Sequence, residues 1–85
     1  MAYSLEYSAE AVMQLEKIDK SIAKRILKKL DGTVGNPNNF FRQLTGRPEY
    51  KLRVGDYRII ANIDDQNKKI LIRTLGHRKN IYAKI

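Results

Sequence analysis

Cysteine and tryptophan are absent from this 85-residue chain, and histidine occurs once, at His77. Without cysteine no disulfide can reinforce a small core, and one histidine cannot build the usual Cys/His site for a transition metal. Any chemistry is therefore expected to run without a metal or other cofactor. No apolar run approaches the roughly 20 residues that cross a bilayer as a helix. The first residues also lack the charged start, apolar stretch and small-residue cleavage site of a secretory signal. A cytoplasmic protein with no membrane role is expected.

Acidic residues are scarce too: nine Asp/Glu stand against seventeen Lys/Arg, a formal net charge of +8. Such a balance favours polyanionic partners, nucleic acid first and an anionic membrane or acidic protein second. The distribution narrows this further. Residues 1–41 carry an excess of one positive charge, and residues 42–85 an excess of seven. The apolar share of 42% is too high for a chain disordered throughout, so a compact fold is expected. The length suits a single domain spanning residues 1–85.

Tyr3, Leu5 and Tyr7 alternate with smaller or polar residues, which predicts a first strand. Ser8 is a good N-cap, and Val12, Leu15 and Ile18 then recur at helical spacing. Asp19 can cap a second helix with Ile22, Ile26 and Leu30 in one stripe, Ala23 and Leu27 beside it, and Gly32 and Gly35 weakening its end. Lys20, Lys24, Lys28 and Lys29 fill the rest of that helix and are expected to form a solvated face. Residues 36–48 read as a connector in which Phe40, Phe41 and Leu44 return apolar mass to the core. From Tyr50 onward the pattern is strand, tight turn, strand, loop, strand. The predicted class is α+β, in the order β-α-α-β-β-β, with an antiparallel sheet and a helical hairpin packed on one face.

Gly55-Asp56 suits a two-residue hairpin loop with glycine at its first position, and the register can be counted outward from it. Val54 then faces Tyr57, Arg53 faces Arg58, Leu52 faces Ile59 and Lys51 faces Ile60. Alternation puts Leu52 and Ile59 on the core side and Lys51, Arg53 and Arg58 on the other. Like charges directly opposite one another destabilise a sheet, so the pairing suggests that an anion belongs there.

The segment from Gly76 to Tyr82 can come beside this hairpin and add Arg78 and Tyr82. RNA cleavage without a metal needs a base for the ribose 2′-hydroxyl, cations for the phosphate and help for the leaving 5′-oxygen. Lys51, crowded by Arg53 and Arg58, is a candidate general base, because neighbouring cations disfavour an ammonium. Arg58 and Arg78 suit transition-state stabilisation, and Tyr82 could position the base or the ribose. Arg47, His77 and Lys79 complete the set as candidate RNA-binding residues. His77, beside a glycine, can equally be a structural hydrogen-bonding group.

Taken together, Tyr50-Lys-Leu-Arg-Val-Gly-Asp-Tyr-Arg-Ile-Ile, Leu75-Gly-His-Arg and Ile81-Tyr82 resemble the RelE/ParE toxin superfamily, and the likeness runs through nearly the whole chain. For its RelE-like branch the resemblance implies ribosome-dependent cutting of mRNA in the A site, with the ribosome, mRNA and a cognate antitoxin as partners. By position it matches Lys51 and Arg53 to the basic residues before the turn and Arg58 to the arginine after it. Arg78 matches the last-strand arginine, and Tyr82 the terminal tyrosine. Two positions depart from the pattern: Arg53 stands where some members carry a second lysine, and Ala61 where many carry an aromatic residue. Two other readings stay open. One is a ParE-like toxin that binds DNA gyrase or another topoisomerase without cutting RNA; the other is a module that binds phosphate without chemistry.

Overall fold

The computed structural model describes residues 2–81. Its elements are β1 (Ser4–Tyr7), α1 (Ala9–Lys17), α2 (Lys20–Asp31), a 3-10 turn (Pro37–Asn39), β2 (Arg42–Gln43), β3 (Tyr50–Val54), β4 (Tyr57–Asp64) and β5 (Lys69–His77). The class is α+β, as the patterning predicts. The sheet has the order β1-β5-β4-β3-β2.

Both helices begin where the sequence places a cap. The Ser8 hydroxyl accepts the Ala11 N–H at 3.0 Å, and the Asp19 carboxylate accepts the Ser21 N–H at 2.8 Å. Each satisfies one of the donors a helix start leaves open. The buried stripe of α1 differs by one residue from the expectation: Ala11 is fully buried, Leu15 and Ile18 pack against the core, and Val12 is exposed. Positions 11, 15 and 18 follow the i, i+4, i+7 spacing of a helix face, which 12, 15 and 18 do not. On α2, Ile26 and Leu30 are fully buried and Leu27 is exposed.

The sheet differs from the expected four-stranded antiparallel one in two respects, one pairing direction and one extra strand. β1 pairs in parallel with β5, Leu5 opposite Ile70 and Tyr7 opposite Ile72. The α1–α2 hairpin and the β2–β3–β4 strands lie between these two strands in sequence, so β1 can enter beside β5 without a tight turn. The expected connector also supplies a two-residue strand, β2, which sets Arg42 opposite Lys51 and Gln43 opposite Tyr50.

The core lies between the helices and one sheet face: Ala11, Ile26 and Leu30 meet Leu52, Val54, Ile59, Ala61, Ile70, Ile72 and Leu75. One irregularity fixes which residues of β5 reach it. Ala61 pairs with Ile72 but Ile60 pairs with Thr74, so Arg73 is an extra residue, a β-bulge. The bulge reverses the alternation, bringing Leu75 onto the core side with Ile70 and Ile72. It lies just beyond the end of β1, where the edge of β5 loses its strand partner. Side chains of the first helical segment take over there: the Ser8 hydroxyl donates to the Arg73 carbonyl at 2.6 Å, and the Gln14 carbonyl accepts the Leu75 N–H at 2.7 Å. A backbone group shielded from water, as the Leu75 N–H partly is, needs such a partner.

Candidate active site on the open sheet face

The β3–β4 hairpin turns through Gly55-Asp56, with Gly55 at φ 58° and Asp56 at negative φ. Glycine at the first loop position accepts that conformation without a Cβ penalty. The short turn fixes the register: Val54 opposite Tyr57, Arg53 opposite Arg58, Leu52 opposite Ile59, Lys51 opposite Ile60 and Tyr50 opposite Ala61. These are the pairs counted from the sequence. Since Leu52, Val54, Ile59 and Ala61 belong to the core, Lys51, Arg53 and Arg58 stand on the face turned away from the helices.

β2 adds Arg42 to that face beside Lys51. Arg42, Lys51, Arg53 and Arg58, with Phe40, line a cavity of about 260 Å³. Among the described residues no carboxylate approaches within 4.0 Å of any of the four cations; ion pairs form at Arg47–Glu49, Lys69–Glu6 and Arg78–Asp56 instead. Arg58 is half-buried, and its guanidinium donates at 3.3 Å to the carbonyls of Gly55 and Tyr57, which ties it to the turn. Also among the described residues, no three His, Cys, Asp or Glu side chains converge as a metal site would require.

The other candidate residues divide. Gly76 stands opposite Arg58, and the Arg78 N–H donates to the Asp56 carbonyl at 2.7 Å, so Arg78 is anchored on the hairpin turn. Its Nε lies 4.0 Å from the Asp56 carboxylate, an exposed and weak contact. Arg47 is engaged elsewhere: Nε and the terminal nitrogen reach the two Glu49 oxygens at 3.1 and 3.2 Å. Those hydrogen bonds hold the Glu49 carboxyl below the usual carboxylate range. His77 is turned from the cluster, because the bulge pairs it with Tyr57 on the core side, where the two rings meet edge to face at 5.8 Å. Its Nδ1 accepts the Lys79 N–H at 3.2 Å, the structural role that sequence alone allowed. Lys79 is exposed, and Tyr82 lies outside the described residues.

The sequence model described as the ParE toxin of type II toxin–antitoxin systems matches residues 5–82. The chain belongs to this toxin family. Among curated relatives of this RelE/ParE-superfamily toxin, the mRNA interferase toxin RelE of Escherichia coli (strain K12) is 26% identical over 82 residues, covering 93% of this chain and 86% of the relative. Among solved structures, the RelE–RelB complex of Pyrococcus horikoshii OT3 matches with a TM-score of 0.76 and 28% identity, over 94% of this chain and 99% of that one. The RelBE2 toxin–antitoxin complex of Mycobacterium tuberculosis reaches a TM-score of 0.84 at 21% identity, over 92% and 100% of the two chains, a likeness of fold alone.

Arg42 is the residue of the candidate site that sequence reading missed. Its segment reads as a connector, and only pairing with β3 reveals it; the available signal was a cation directly after the apolar pair Phe40-Phe41. The concentration of charge costs stability. Side chains directly opposite on a sheet lie about 4.5–5.5 Å apart at Cβ, and like charges there are unfavourable. Arg53→Gln is expected to stabilise the folded toxin by roughly 0.2–1 kcal/mol. Urea titration checks this, and a lower midpoint in the variant would show that Arg53 is stabilising in place.

Proposed function

We propose that this toxin is a ribosome-dependent mRNA endoribonuclease, held silent in the cytoplasm by a cognate antitoxin. The observation that carries the reading is the group of Arg42, Lys51, Arg53 and Arg58 on one open face with no carboxylate among them. Such a surface suits a phosphodiester, whose charge grows as it is attacked. The relative named mRNA interferase toxin RelE and the similar RelE–RelB complexes support the same substrate and partner.

In this reaction Lys51 accepts the proton of a ribose 2′-hydroxyl, and the freed oxygen attacks the adjacent phosphorus. The bond to the 5′-oxygen breaks, leaving a 2′,3′-cyclic phosphate on one fragment and, once that oxygen is protonated, a 5′-hydroxyl on the other. Arg58, fixed against the turn, and Arg53 beside it bind the phosphate oxygens through planar forks. Arg78, anchored through its backbone to Asp56, closes the site from β5. Tyr82 is assigned to positioning the base or ribose on the family pattern. Arg47 and Lys79 would contact the strand outside the reacting phosphate. His77 has no chemical step in this scheme.

The test is to incubate purified toxin with mRNA, with and without programmed ribosomes, and to map the fragment ends. Arg58→Ala and Arg78→Ala are each expected to slow cleavage by about 10²–10³-fold, the usual loss of a donor aimed at developing charge. Both residues lie outside the apolar core, so thermal unfolding should change little. Absence of ribosome-stimulated cleavage by the wild type rejects the reading. The ParE name of the matched family favours a second one, inhibition of a DNA topoisomerase by protein contact. Loss of gyrase supercoiling activity on adding the toxin, with mRNA left intact, would establish it.

A further inference from the structure

The lysines of α2 are all exposed, as expected of a solvated face, but two of them share a narrower stripe with Arg25. Arg25, Lys28, Lys29 and Gly32 fall at i, i+3, i+4 and i+7, a single helical stripe. This stripe lines a groove of about 550 Å³ together with Val54, Gly55 and the edge of β3 at Arg53, beyond its pairing with β2, and with Phe40 in its wall. Lys20 and Lys24 lie outside it. Two features of the groove point to a ligand. Like charges at i, i+3 and i, i+4 oppose the helix. The helix dipole offsets this for Lys28 and Lys29 in the last turn but not for Arg25 in the middle. Among the described residues no carboxylate lines the groove.

Arg25 reaches from the helix to the floor of the groove, where Gly55 is required by its positive φ. A Cβ on Gly55 would stand 3.5 Å from a terminal nitrogen of Arg25, so the guanidinium lies directly over the turn. Phe40 is 40% exposed, with the Lys29 ammonium 5.2 Å from its ring centre. Phe40 and Arg53 also line the cavity that holds Arg42, Lys51 and Arg58. The groove and the candidate active site are therefore contiguous. Cations along a channel with an exposed aromatic ring are the elements that hold single-stranded nucleic acid, the cations on phosphates and the ring on a base.

We propose that this groove between α2 and the β3–β4 turn binds the single strand of RNA leading away from the cut, with Arg25, Lys28 and Lys29 on successive phosphates and Phe40 stacked on a base. The proposal rests on the RNA-cleaving reading for the strand's identity.

The experiment measures binding of a 12-nucleotide single-stranded RNA carrying 2′-O-methyl groups, which cannot be cut by 2′-hydroxyl attack, across a salt series. Arg25→Ala/Lys28→Ala/Lys29→Ala is expected to weaken binding and to flatten the slope of log K against log salt by about 2, at about 0.7 per lost phosphate contact. Phe40→Ala is expected to weaken binding about tenfold. Lys17→Ala/Lys20→Ala/Lys24→Ala removes the same charge outside the groove and should change the slope by much less. Equal losses in the two triple variants, or wild-type binding by the groove variant, overturn the proposal. If an acidic antitoxin segment loses affinity for the groove variant while the RNA does not, the groove belongs to protein and the proposal also fails. Ribosome-stimulated cleavage by the wild type is scored separately. Wild-type cleavage with unaltered binding in the groove variant rejects only the groove, whereas absent cleavage with groove-dependent binding rejects only the nuclease.

Discussion

Lys51→Met is expected to slow RNA cleavage by about 10²–10⁴-fold, the usual contribution of a positioned general base, with thermal stability near that of the wild type. Lys51 is half-buried between Arg42 on β2 and Ile60 on β4, on the face away from the core. Methionine keeps the length of the apolar stem, so the change removes the amine and little packing. Lys51→Arg separates two roles. A guanidinium supplies charge but does not give up its proton in proteins, so it should restore phosphate binding and not the rate. Recovery of the rate in Lys51→Arg would reduce Lys51 to an electrostatic contact and move the base elsewhere on the face. Single-turnover cleavage on programmed ribosomes, compared with RNA binding by each variant, makes the distinction.

Ile59→Ala is expected to destabilise the fold by about 2–5 kcal/mol, the range for truncating a buried isoleucine. Ile59 is fully buried on β4, in a cross-strand row with Leu52 on β3 and Leu75 on β5. A hole there removes contacts from both neighbours and from the helices above. At about 0.05–0.15 kcal/mol per residue, a chain of this size holds only a small reserve, and no disulfide adds to it. The variant should unfold at markedly lower urea or be largely unfolded at 37 °C. A loss below 1 kcal/mol would mean that the core collapses around the cavity far more readily than close packing allows.

The two variants probe opposite faces of the same hairpin, and that division was legible in the sequence. A two-residue loop with glycine first leaves one register, so the opposition of Arg53 and Arg58 and the separation of Lys51 from Leu52 follow by counting. The helix starts were legible for the same reason: Ser8 and Asp19 act on N–H groups two or three residues away. Family resemblance then carried the reading from a basic face to a toxin.

The features open to counting along the chain are therefore local: caps, turn, hairpin register and the excess of positive charge in the second half. The rest came from the pairing of distant segments. That pairing placed β1 parallel to β5, drew Arg42 beside Lys51 through a two-residue strand, and set the α2 stripe against the hairpin turn. It also sent His77 to Tyr57 instead of to the cations, through a bulge at Arg73 that counting by twos cannot foresee. The partners of that bulge, Ser8 and Gln14, lie more than 60 residues earlier in the chain. A turn fixes geometry through neighbouring dihedral angles, whereas the pairing of distant segments depends on which arrangement buries the apolar faces and leaves no edge group unsatisfied.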